Sequence, residues 1–172
     1  MKNDFLLILA FLISTTIAQA QDWVHITVNA KIGVKFPSMP EINDANGWKL
    51  YSATSDKYVI QVMYLPKPNY VESATEEMDL DKFYDSYIQG LLGSRGNPNL
   101  LYNKSISFDS QVGREISFAR DYKGENGLGL VKVVKKVFFI DEVIYDFSIF
   151  ELSNKISNDI SQKFFESIRL IN

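Results

Sequence analysis

The alternation of apolar and polar positions along the chain predicts strands, one long helix, more strands and a closing helix. Residues 23–30 alternate loosely and residues 33–36 follow as a second short strand before Pro37 ends it. A turn-rich connection comes next, built on Ser38-Met39-Pro40-Glu41 and on Asn43, Asp44, Asn46 and Gly47. Residues 48–54 and 57–65 then form a hairpin across Ser55-Asp56. In its second arm Tyr58, Ile60, Val62 and Tyr64 share one face while Val59, Met63 and Leu65 share the other, so this strand belongs inside a sheet covered on both sides.

Pro66 and Pro68 stop that strand, and the clearest helix of the chain follows. Leu80, Phe83, Tyr84, Tyr87, Ile88, Leu91 and Leu92 recur at helical spacing, Asp79 stands where an N-cap belongs and Gly93 where the helix must end. At ~1.5–3 kcal/mol for each large apolar side chain fully buried, this face is a main source of stability. Four strand-like runs come after it, at residues 100–108, 111–120, 128–140 and 142–150. The links at Asp109-Ser110 and around Asp141 are short enough only for hairpins, so neighbouring strands run antiparallel. In the third run Lys132 and Lys136 share one face and Val131, Val133, Val137 and Phe139 the other, which predicts one wet face there. The fourth run aligns Val143, Tyr145, Phe147 and Ile149. From about Lys155, Ile156, Ile160, Phe164 and Ile168 mark a final helix. The expected class is α+β: an antiparallel sheet of about six to eight strands with two main helices packed on one or both of its faces.

Composition adds location and takes chemistry away. The unbroken apolar run from Phe5 to Ile13, preceded by Lys2 and followed by Ala18-Gln19-Ala20, reads as a Sec-type signal peptide over residues 1–20 with cleavage near Ala20-Gln21. It is far shorter than the roughly 18–20 apolar residues of a spanning helix, so the mature chain, residues 21–172, is expected to be one secreted or periplasmic α+β domain with no membrane span. The chain has no cysteine, which removes disulfides, thiolate nucleophiles and Cys-ligated metals and leaves core packing to hold the domain together. A net charge of −3 with scattered lysines argues against nucleic acid. The grouped Lys132, Lys135 and Lys136 read as an ordinary solvated edge rather than a phosphate-binding stripe.

Catalytic patterns are absent. The single histidine, His25, has no second His or Cys with which to build a zinc site, and no G-x-S-x-G elbow accompanies it. Glu72, Glu76, Glu77, Asp79 and Asp81 match no EF-hand spacing and suit the positive end of the helix they precede. Paired acids for glycoside hydrolysis cannot be recognised without a cleft. The glycine-rich stretch 122–129 lacks the Lys-Ser/Thr ending of a phosphate loop and precedes a strand, so it reads as a hairpin tip. No cofactor is called for. Partner-binding groups are sought instead on loops, where Tyr70, Arg95, Tyr102, Tyr122, Lys123 and Glu125 are the candidates, the tyrosines as anchors that bury much area at low entropic cost.

This element order resembles the PsbP/Mog1-like group of α/β/α sandwich domains. The likeness rests on Gly33-Val34-Lys35-Phe36-Pro37 near its start and Phe164-Phe165-Glu166-Ser167-Ile168-Arg169-Leu170 at its end, with the 48–65 hairpin, the central helix and the aromatic run 137–145 between them. It would cover most of the mature chain and implies a scaffold rather than a reaction, because members are known as protein-binding subunits and as exported bacterial proteins. No motif carries a named member's activity onto this chain. The leading expectation is therefore an exported, non-enzymatic module that binds a protein. The alternatives are a small-ligand carrier or hydrolase using a cleft between sheet and helix, and an inhibitor or immunity-type protein acting on a secreted enzyme.

Overall fold

A computed structural model of the chain describes residues 22–66, 79–94, 98–124, 127–152 and 158–171, with the backbone alone at Ala45, Tyr122, Lys123, Gly124, Gly127, Leu128 and Asn158. Within these residues ten strands and two helices follow in the order β1 (Val24–Asn29), β2 (Ile32–Phe36), β3 (Glu41–Ala45), β4 (Trp48–Thr54), β5 (Tyr58–Pro66), α1 (Leu80–Leu92), β6 (Asn99–Phe108), β7 (Gln111–Gly124), β8 (Gly127–Ile140), β9 (Val143–Glu151), α2 (Asn158–Glu166) and β10 (Arg169–Leu170). Seven strands form the main sheet in the order β3-β4-β5-β9-β8-β7-β6, and β1, β2 and β10 form a small second sheet. Every pairing is antiparallel. The architecture is the expected α+β class, and β5 lies between β4 and β9, inside the sheet as its two-faced apolar pattern required.

Both faces of the main sheet are covered, each by a different layer. α1 lies on one face, where Phe83, Tyr84 and Ile88 meet Ile116, Val133 and Val137. Asp79 caps it, its carboxylate accepting the Lys82 N–H at 3.1 Å, and the Gly93 N–H closes its far end on the Gln89 carbonyl at 2.9 Å. The other face is covered by the small sheet and α2, through Val34, Phe36 and Phe164 against Ile60, Val62 and Phe147. The first two strands therefore leave the main sheet and act as its lid, because their inward residues Ile32, Val34 and Phe36 have a second apolar face to bury.

Three details depart from the pattern-based reading. The polar segment after Pro40 contains a strand, β3, which returns on β4 through Asn46 (φ 52°) and Gly47 (φ 83°). As an edge strand with Ile42 57% exposed it needs no apolar face, so it leaves no alternation to read. The described part of the last helix ends at Glu166; Ile168 is buried beyond it, leading into β10. Lys135 does not sit on a solvated edge. β8 is internal, and this side chain is buried beneath α1, where Nζ meets Asp146 Oδ2 at 2.5 Å. Tyr87 donates to the same oxygen at 2.5 Å and Ser148 to the other, so the buried carboxylate is held from helix and sheet together.

Candidate functional site

Hairpin register builds an open polar surface on the main sheet. The two-residue turn Asp109-Ser110, both residues at positive φ, sets Lys104 opposite Glu115 and Tyr102 opposite Ser117. The β7–β8 pairing sets Glu115 opposite Lys136 and Ser117 opposite Val134. Three adjacent strands thus present a Lys104–Glu115–Lys136 row beside a Tyr102–Ser117–Val134 row, on the face that carries α2. One pair on, Lys132 of β8 lies opposite Glu151 of β9.

α2 covers only part of this face, leaving two adjoining clefts that share Lys136 and Phe165. One, of about 340 Å³, has Tyr102, Glu115 and Lys132 on the sheet side and Gln162 and Glu166 on the helix side. The other, of about 390 Å³, runs along the end of β6 past Ile106 and Phe108 to Phe138 and Ile168. Glu115 is the hub of the first. Its Oε1 accepts from the Tyr102 hydroxyl at 3.0 Å and from Lys104 Nζ at 2.9 Å, and Lys136 Nζ stands 3.7 Å from Oε2. Lys132 approaches Glu151 at 3.8 Å. Lys136 also lies over the Phe165 ring, 4.8 Å from its centroid.

Electrostatics follow from this packing. Partial burial and the Glu115 carboxylate beside it push the Tyr102 phenol up to about 12, only partly opposed by Ser117. Burial would raise the Glu115 carboxyl, but the bonds from Lys104 and Tyr102 and the charge of Lys136 outweigh it, so its pKa lies below the ordinary range. Ser117 is fully buried beneath Tyr102 and Glu115. The arrangement offers fixed donors and acceptors flanked by two aromatic rings, which suits recognition. Glu115 and Glu151 sit two strands apart and four residues out of step, ~16 Å between backbones, and each already faces a lysine.

Of the residues singled out by sequence, Tyr102 stands in this cleft, 39% exposed. Tyr122 and Lys123 lie on a β7–β8 ribbon that continues past the last β8–β9 pair at Lys132 and Glu151. Tyr70, Arg95 and Glu125 lie outside the described residues, as do the signal segment and Glu72, Glu76 and Glu77. His25 is exposed on β1, opposite Lys35 and beside Gly33. Among the described residues no group of three or more His, Cys, Asp or Glu side chains could hold a metal ion, and no helix is long and apolar enough to cross a membrane. Sequence reasoning missed Lys104, Glu115 and Glu151, and read Lys136 only as part of a wet face.

No family model and no curated protein matches the chain. Among solved structures it is similar to cyanobacterial PsbP (CyanoP) from Synechocystis sp. PCC 6803, with a TM-score of 0.58 and 10% identity over 90% of this chain and 96% of that one. A protein of unknown function from Pseudomonas aeruginosa aligns at a TM-score of 0.45 and 5% identity, over 75% of this chain and 82% of that one. The first likeness establishes a PsbP-like fold.

Proposed function

We propose that this chain is an exported, non-enzymatic binding module that holds a partner protein against the cleft between β6–β8 and α2. The observation that carries the reading is the Lys104–Glu115–Lys136 row with Tyr102 beside it. Charged groups are held there in fixed register next to an exposed aromatic ring, the combination from which interface anchors are made. Ion-paired lysines and a carboxylate held ionised are poised to match another charged surface rather than to move a proton. The PsbP-like fold supports a scaffold role, and the apolar run and small-residue site at the N-terminus support export.

The test is capture from an envelope extract with the tagged mature chain, beside Tyr102→Ala and Lys136→Glu variants checked for native folding. A partner enriched by the parent chain and lost with either variant supports the reading. Repeated capture of nothing, or capture that ignores both variants, refutes it. A small-ligand carrier is the second reading, favoured by cleft volumes of about 340 and 390 Å³ that suit a small molecule. Native mass spectrometry of the purified chain distinguishes it by a bound low-mass species. An inhibitor or immunity role is a special case of the first reading, separated by the partner's identity.

A further inference from the structure

The main sheet ends at β6, and among the described residues no strand pairs with its outer edge. Asn99, Leu100, Leu101, Tyr102, Asn103, Lys104 and Ser105 are all exposed, a long open edge of the kind that templates further pairing. A register shift at Leu101 interrupts the ladder, so the regular edge runs from residue 102 to residue 108. On the α2 side this edge presents Tyr102, Lys104, Ile106 and Phe108 in alternation. Any strand added to it places its own alternate side chains at the same levels, ~5 Å away.

We infer that β6 receives an extended peptide strand from the partner, with an acidic side chain opposite Lys104 and apolar side chains opposite Ile106 and Phe108. The inference rests on the proposed protein-binding role and names its mode. Charge selects the acid: Lys104 and Lys136 share one carboxylate, Glu115, and the Lys104 side chain remains 58% exposed, so an incoming carboxylate balances the row. Shape selects the apolar residues, because the cleft of about 390 Å³ beside Ile106 and Phe108 is backed by Phe138, Phe165 and Ile168. The same charge argument disfavours a second copy of this chain. β6 carries no acidic residue, and antiparallel self-pairing of its regular part brings two Lys104 side chains close together with nothing on either strand to offset them.

The experiment uses a labelled heptapeptide, Val-Thr-Val-Thr-Glu-Thr-Thr, which in antiparallel register sets Glu opposite Lys104 and the two valines opposite Ile106 and Phe108. Binding to the mature chain is followed by anisotropy and by amide shifts of residues 102–108. Two further peptides carry N-methyl groups on one or the other alternate set of amides. Strand addition requires one methylated set to weaken binding at least tenfold and the other to change it less than about twofold, because only alternate amides face the edge. A Glu→Lys peptide is expected to bind at least tenfold more weakly, and Lys104→Glu to reverse that preference, with Lys104→Gln as the milder variant should the first not fold. Equal effects of the two methylated sets, or no amide shifts along β6 at millimolar peptide, overturns the inference. A partner that is captured in a Tyr102- and Lys136-dependent way, yet is not displaced by the peptide, overturns the strand mode while leaving the binding role intact. Peptide binding with no captured partner does the reverse.

Discussion

Asp146 is a position where a single change is expected to cost a large share of the stability. Its carboxylate is fully buried and takes bonds from Lys135, Tyr87 and Ser148, joining β8, β9 and α1 beneath the helix. Asp146→Ala removes the counter-charge of a lysine whose side chain is only 5% exposed. Breaking one partner of a buried ion pair costs ~3–5 kcal/mol, a large share of the ~5–15 kcal/mol that holds a domain folded. At ~2–4 °C per kcal/mol for a domain of this size, the thermal midpoint falls by roughly 6–20 °C. The double variant Lys135→Met/Asp146→Asn removes both charges, keeps an amide oxygen for one of the Tyr87 and Ser148 hydroxyls and turns an N–H donor to the other, so it recovers most of the loss. Urea unfolding followed by the fluorescence of Trp23 and Trp48 measures both. A loss below ~1 kcal/mol for Asp146→Ala, or a double variant as unstable as the single, refutes the claim that an unpaired buried charge is what costs.

Two further outcomes follow. A methyl group at Gly113 would stand 2.5 Å from the Phe138 ring and 2.6 Å from the Val137 carbonyl, so Gly113→Ala should lower stability by ~1–3 kcal/mol in thermal denaturation, whereas at Gly90, with open space around it, the same change should not destabilise. The cleft should leave a pH signature at both ends. Glu115 has a folded pKa below its unfolded one, so its contribution is complete above about pH 4.5 and is lost as pH falls through the folded value; Tyr102, raised to about 12, contributes fully below pH 10 and loses that contribution as pH rises toward 12. Burial raises Tyr51, Tyr84 and Tyr145 as well, so ultraviolet titration of tyrosinate should show several late phenols, one of which moves earlier in Glu115→Gln; an unchanged curve would detach Tyr102 from Glu115.

Much of this architecture was legible from periodicity and turn chemistry. Asp79 and Gly93 bracket α1 as their cap chemistry demands, and the hairpins turn at Asp109-Ser110 and Asp141-Glu142. The cleft was nearly legible too. Counting back symmetrically from Asp109-Ser110 pairs Lys104 with Glu115, and from Asp141-Glu142 pairs Lys132 with Glu151, so the charged row was written into the turns. What alternation cannot say is which layer covers a face. It sends neighbouring Lys135 and Lys136 to opposite faces, yet burial of Lys135 depends on Asp146 across the β8–β9 hairpin and on Tyr87 of α1, which the pattern within one strand does not report. β3 escaped because an edge strand held mainly by backbone bonds to β4 needs no apolar side to declare it.

The role of the cleft is best tested by a footprint of the captured complex. Hydrogen exchange of the bound and free chain, resolved to single strands, should show new protection along β6 and across the cleft around Glu115 and Lys136, with the surface of α1 unchanged. Protection confined to α1 or to the β3 edge, with β6 exchanging as in the free chain, would contradict it.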